Sequence, residues 1–190
     1  MSGGGFHVHG PHDHAVEHAA QDGDNFSGRI AVTTALLATI GALFSYQAGL
    51  TQNEAMLEKN NAAIKKTEAS NQWNYYQAKS NKQNLAELAV ALNEGEKKAR
   101  YEKEVERYKT EKTEIKAAAE KLETEVKEFD NKSAEYMHQH HRWAQAMTAI
   151  QIAISLAAIT LLTRRSWLNK ATYVTAAAGM VLAGLAVAHI

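Results

Sequence analysis

No cysteine occurs in the 190 residues. That excludes disulfides, thiolate catalysis and cysteine-based zinc sites. Proline is almost as scarce: Pro11 stands alone, so nothing of that kind interrupts a helix downstream. An excess of either charge is missing too. Lys and Arg total 21, Asp and Glu total 21, and the net charge is zero. A nucleic-acid-binding chain would carry a basic face, so no nucleic acid partner is expected.

Charge is absent altogether from three stretches, residues 30–50, 143–163 and 171–190. Each is about the 20 residues a helix needs to cross roughly 30 Å of hydrocarbon. The averages conceal this. Mean hydropathy is −0.39 and 22% of residues are charged, values that suit a soluble protein. Nearly all of that charge lies between Glu54 and Arg142. The first apolar run does not read as a cleaved signal. Asp13, Glu17, Asp22 and Asp24 precede it, Arg29 is the first basic residue, and the run is longer than a usual signal core.

The expected fold is an all-α integral membrane protein with three transmembrane helices, the first two continuous with a long antiparallel coiled-coil hairpin. Residues 1–26 form a Gly- and His-rich tail, in which Pro11 could open a short helix over His12–Gln21. Residues 27–50 form the first span, with Ser27 as its N-cap. Residues 51–142 form the hairpin. Residues 143–163 form the second span, 164–170 a short basic loop, and 171–190 the third span.

Nothing stops a helix between Thr51 and Asn93-Glu94-Gly95, where Gly95 can take positive φ and reverse the chain. Each arm then holds about 42 residues and extends roughly 60 Å, and the arms continue the first two spans without a break. The outgoing arm repeats apolar or small residues at Leu57, Ile64, Tyr75, Ala78, Leu85, Ala89 and Leu92. The returning arm has the clearer heptad: Tyr101, Val105, Tyr108, Lys112, Ile115, Ala119, Leu122, Val126, Phe129, Ser133, Tyr136, His140 and Trp143. Steps of four and three alternate there, the mark of a coiled coil. Lys112, Ser133 and His140 are its polar lapses. The Glu/Lys-rich flanks read as a solvated surface.

Small residues recur on the first span at Thr34, Ala38 and Ala42, and again at Gly41, Ser45 and Gly49, a spacing that lets helices approach closely in lipid. Trp143, Trp167 and Tyr173 suit membrane-interface anchors, with Arg164 and Arg165 at headgroup level. Arg164, Arg165, Lys170 and Arg29 favour a cytoplasmic N-terminus and a periplasmic hairpin. Lys59, Lys65, Lys66, Lys127, Lys132 and Arg142 at the other membrane ends argue the opposite way.

Histidine is the one unusual chemical ingredient. His7, His9, His12, His14 and His18 crowd the tail, a metal-binding composition. On a helix His14 and His18 share a face with Glu17 beside them, and His12 lies close in sequence. Such a set suits a divalent transition metal, zinc, nickel or copper. His14-Ala15-Val16-Glu17-His18 also matches an inverted zinc-peptidase pattern, but so short a tail supplies neither third ligand nor cleft. The bland alternative is a polar interfacial tail. A second cluster, His138, His140 and His141 beside Arg142, sits where headgroups are expected.

Past Arg29 the spans hold no Asp, Glu, Lys or Arg, the groups that ion and proton pathways usually need. The second span does carry a polar row, Gln145, Thr148, Gln151 and Ser155. Such rows mostly make interhelical hydrogen bonds; a water-lined pore face is the sharper alternative. No Ser-His-Asp grouping or phosphate-cradling loop occurs, so no enzymatic activity is expected.

Three strings carry a family resemblance: His9-Gly10-Pro11-His12, Ala48-Gly49-Leu50-Thr51-Gln52-Asn53-Glu54-Ala55, and Ala62-Ala63-Ile64-Lys65-Lys66-Thr67-Glu68-Ala69-Ser70-Asn71-Gln72-Trp73, running on through Tyr76-Gln77-Ala78-Lys79-Ser80. With them the chain resembles the bacterial membrane proteins of domain-of-unknown-function family 4337 over nearly its whole length. The resemblance implies a Gram-negative inner-membrane protein and carries no activity or functional residue with it.

Trp73, Tyr75 and Tyr76, interleaved with Asn and Gln, suit a protein interface, and a single hairpin would leave much of Trp73 and Tyr76 exposed. The expected role is therefore structural. The chain would scaffold a homo-oligomer, or join a larger membrane complex, with the lipid bilayer and other membrane proteins as partners. Metal handling through the tail and a channel or transporter subunit are the alternatives.

Overall fold

The computed structural model describes residues 25–188. Three α-helices account for nearly all of them, and no strand occurs among the described residues: α1 is Asn25–Leu92, α2 is Gly95–Thr163 and α3 is Ser166–Val187. All three are long and apolar enough to cross a bilayer. Asn25 is already helical, so Ser27 lies inside the first turns of α1. The chain divides into two compact units. One is a three-helix bundle made by the described residues up to Asn53 and from Tyr136 onward; the other is a hairpin, Glu54–Glu135.

In the bundle the core is built from Leu37, Phe44, Ala146, Ile150, Ala153, Ile154, Ala176 and Ala183. Its centre is Ile150, which is 0% exposed. A glycine faces this side chain from each neighbouring helix. A Cβ on Gly41 would stand 3.2 Å from Ile150 Cγ2, and one on Gly179 would stand 3.1 Å from Ile150 Cδ1. Alanine and glycine draw the backbones together, and one branched side chain fills the space between them. Dense contact of this kind holds helices together where lipid removes the hydrophobic drive.

Among the described residues the chain reverses twice. At the first reversal Gly95 has φ +62°, and Asn93 Nδ2 donates to Ala89 O at 2.8 Å, satisfying a helix-end carbonyl. At the second, Arg164 takes φ 53° and its N–H donates to Thr160 O at 2.8 Å. The loop expected over 164–170 is thus only Arg164-Arg165. Residues 166–170 contain no Gly or Pro, and Leu168 is buried, so the helix starts as soon as the chain has turned.

The hairpin helices run antiparallel. Lys59 pairs with Asp130 at 2.7 Å, Lys65 with Glu125 at 3.3 Å and Lys79 with Glu111 at 2.5 Å, one number rising as the other falls. The expected α2 seam faces α1, with Ile115, Ala119 and Ser133 buried. Each polar lapse in that seam has a partner across it. Lys112 Nζ donates to Gln83 Oε1 at 3.1 Å, and Ser133 Oγ donates to Ala55 O at 2.8 Å. Within the bundle His140 Nδ1 lies 2.8 Å from Ala48 O. A carbonyl only accepts, so Nδ1 carries the proton there.

The seam expected on α1 is not the one that forms. Leu57, Ile64, Leu85 and Leu92 are 54% to 75% exposed and point away from α2. The inward positions are Ala55, Ala62, Ala69 and Ala86, all buried, with Tyr76, Gln83 and Val90 between them in the same rows and half-buried. The fully buried positions of the α1 arm are all alanine, and its leucines lie outside. A search for large apolar residues therefore finds the α2 seam and selects the wrong face of α1.

Candidate functional site

Two surfaces bring chemically distinctive residues together, one in each unit. In the bundle the polar row of α2 faces outward. Gln145, Thr148, Gln151 and Ser155 are all exposed. Thr148 Oγ1 donates to Ala144 O at 2.8 Å and Ser155 Oγ to Gln151 O at 3.0 Å, so both hydroxyls are satisfied by their own helix. Neither glutamine amide bonds to another helix among the described residues. The row is thus not used as glue within one chain. It borders an open groove of about 740 Å³ lined by His138, His141, Arg142, Gln145, Thr148 and Ile152, among others.

The expected histidine cluster is split by this geometry. His140 turns inward to Ala48, whereas His138 and His141 line the groove. Among the described residues no group of three His, Cys, Asp or Glu could hold a metal ion. His12, His14, Glu17 and His18 lie outside the described residues.

In the hairpin the aromatic segment is more occupied than expected. Trp73 and Tyr76 are half-buried. Trp73 Nε1 donates to Glu123 Oε1 at 2.8 Å, and its ring meets Tyr76 edge-on with centroids 5.6 Å apart. Lys112 Nζ sits 5.0 Å above the Tyr76 ring, close enough for a cation–π contact. Only Tyr75 of the three is exposed, and Lys79 lies 5.2 Å from its ring. The bond to Glu111 holds the Lys79 ammonium above the usual lysine range, with Tyr75 contributing next. The same bond holds the Glu111 carboxyl below the usual carboxylate range. Beside Trp73 runs a groove of about 520 Å³, with Ser70, Asn74 and Gln77 on one wall and Val126, Lys127 and Asp130 on the other.

The remaining expected sites divide. Gly41 is buried against Ile150, Ser45 is exposed, and a Cβ on Gly49 would meet nothing within 4 Å. Gly41 therefore serves packing inside the chain, Ser45 lies on open surface, and Gly49 is half-buried with room for a side chain. Trp167 and Tyr173 are exposed, as are Arg164 and Arg165. Trp143 is half-buried against Phe44, with centroids 5.5 Å apart. Gly179 was not singled out from sequence, although its place in an Ala-rich helix is a usable sign of close approach.

No curated protein and no solved structure matches the chain. A family model does: residues 26–189 match Domain of unknown function (DUF4337), and the chain belongs to that family.

Proposed function

We propose that the chain is a structural subunit of a bacterial inner membrane. It spans the bilayer three times, carries an antiparallel coiled-coil hairpin outside the lipid, and assembles as a homo-oligomer or as an accessory subunit of a larger membrane complex. One observation carries the reading: the outward row Gln145, Thr148, Gln151 and Ser155 on a helix long and apolar enough to span. Exposed amides in hydrocarbon are costly, and partners on another helix relieve that cost by about 0.6–2 kcal/mol each. Arg164, Arg165 and Lys170 support a cytoplasmic α2–α3 loop and a periplasmic hairpin; reporter fusions after Glu94 and after Arg165 test that placement.

The assembly is tested by the mass of the full chain in nanodiscs. The native chain should run as an oligomer, or with a stoichiometric partner, and Gln145→Leu/Gln151→Leu should shift it toward the monomer. A native chain that is monomeric and alone refutes the proposal. The same row beside an open groove also suits a water-lined path, which makes a channel or transporter subunit the second reading. Ion or solute flux into liposomes, lost on Gln151→Leu, would support it.

A further inference from the structure

The hairpin surface of α1 outside its buried contact with α2, bordered on one flank by the groove beside Trp73, has an unusual composition. Between Met56 and Leu92, three adjacent heptad positions make up this arc. All seventeen of its residues are exposed, and none is charged. The eight charged residues of the same stretch all fall on the other four positions. One row of the arc is Leu57, Ile64, Asn71, Ala78, Leu85 and Leu92; its middle row is Asn60, Thr67, Asn74, Asn81 and Leu88. A solvated helix face normally carries charge. The outward side of α2 does so, with Lys103, Lys116 and Glu120.

We infer that this neutral arc of α1 is the contact between copies of the chain, arm against arm and parallel, which deepens the self-assembly proposed above and rests on it. The seven-residue repeat calls for a helical partner running along the arm, which is about 55 Å long at 1.5 Å per residue. That partner must itself be uncharged along its length, because burying a lone charge costs several kcal/mol. Among the described hairpin residues, the same arc on a second copy meets that condition, and the outward side of α2 does not. Copies held by the same spans stand parallel and at equal depth, so each layer meets itself. Leu57, Ile64, Leu85 and Leu92 then pack on their counterparts. Asn60, Asn71, Asn74 and Asn81 each bring both donor and acceptor, so like pairs with like. Buried Asn layers also fix register and number of strands.

The absence of cysteine makes the test clean. Asn74→Cys and Asn81→Cys are placed singly in the full chain and oxidised in native membranes, with Lys116→Cys and Glu120→Cys as controls. A disulfide needs Cα atoms within about 7 Å, so the arc positions should give roughly tenfold more cross-linked dimer than the controls. Asn74→Lys/Asn81→Lys should abolish cross-linking of an added Asn60→Cys while helix content, read by circular dichroism, is kept. Arc cysteines no better than controls in a chain that still has an oligomer's mass would overturn the hairpin contact and leave assembly through the bundle. A monomeric mass would overturn both.

Discussion

Alanine at Gly179 is the sharpest test of the bundle. The added methyl would lie 3.1 Å from Ile150 Cδ1, 3.2 Å from Ile150 Cγ1 and 3.2 Å from Ala146 O. The side chain can move a few tenths of an ångström; the carbonyl belongs to the α2 backbone and cannot without shifting the helix. Overpacking of this kind costs about 1–3 kcal/mol, against a gain of up to about 1 kcal/mol from replacing a helical glycine. The net expectation is a loss of about 1–2 kcal/mol. Gly41→Ala meets only side-chain atoms, Ile150 Cγ2 at 3.2 Å and Gln151 Nε2 at 3.6 Å, and should be nearly neutral. Gly184→Ala meets nothing within 4 Å and should gain up to about 1 kcal/mol. Ile150→Val removes Cδ1. Alone it should cost about 0.5–1.5 kcal/mol, but in the Gly179→Ala background it also removes one of the three close contacts, so the two changes couple by about 0.5–1.5 kcal/mol. Reversible unfolding of the full chain in mixed micelles, followed by circular dichroism, measures all five variants. Gly179→Ala as stable as Gly184→Ala, or strict additivity with Ile150→Val, would refute the packing argument.

Arg164→Gly should stabilise the chain by about 1 kcal/mol, because glycine takes a positive φ without strain; Arg164→Ala keeps the strain and should show no such gain in the same unfolding assay. Ser133→Ala deletes the buried bond to Ala55 O and should cost about 1 kcal/mol, read as a lower thermal midpoint. Stability from the Lys79–Glu111 pair should be complete between the usual carboxylate and lysine ranges. It should fall as acid passes through the lowered Glu111 pKa, and fall again as base passes through the raised Lys79 pKa. The difference between native and Glu111→Gln midpoints against pH should therefore be a plateau with two descending limbs, and a flat difference would count against the pair.

Much of the fold was legible because its strongest signals are absences. Uncharged runs at residues 30–50, 143–163 and 171–190 correspond to apolar parts of α1, α2 and α3. The missing breakers before Gly95 correspond to one helix from Asn25 to Leu92. Gly95 was readable as the reversal since one residue there had to accept positive φ. The α2–α3 turn was harder. Arg164 occupies that conformation without being a glycine, so composition placed a seven-residue loop where two residues suffice. The glycine contacts on Ile150 were invisible for a different reason: they depend on which helix faces reach one another, and small-residue spacing alone does not say.

The α1 arm was misread in a way that follows from its physics. A helix with one partner writes one apolar row, and the largest side chains mark it. α1 between Met56 and Leu92 carries two interleaved rows of the same period. The row against α2 holds the buried Ala62 and Ala69 with Tyr76, Gln83 and Val90; the outer row holds the leucines. Periodicity gives the repeat length for both and cannot assign either to a partner; burial can. Charge separates the rows from solvent-facing positions better than size does. Lys and Glu are excluded from the outward arc as strictly as from the row of Ala62 and Ala69, although of these two only that row is covered among the described residues. A sequence under no constraint but solubility has no reason to keep all seventeen residues of an exposed face free of charge. That exclusion, more than the exposed leucines themselves, is why the outer face of α1 reads as an interface.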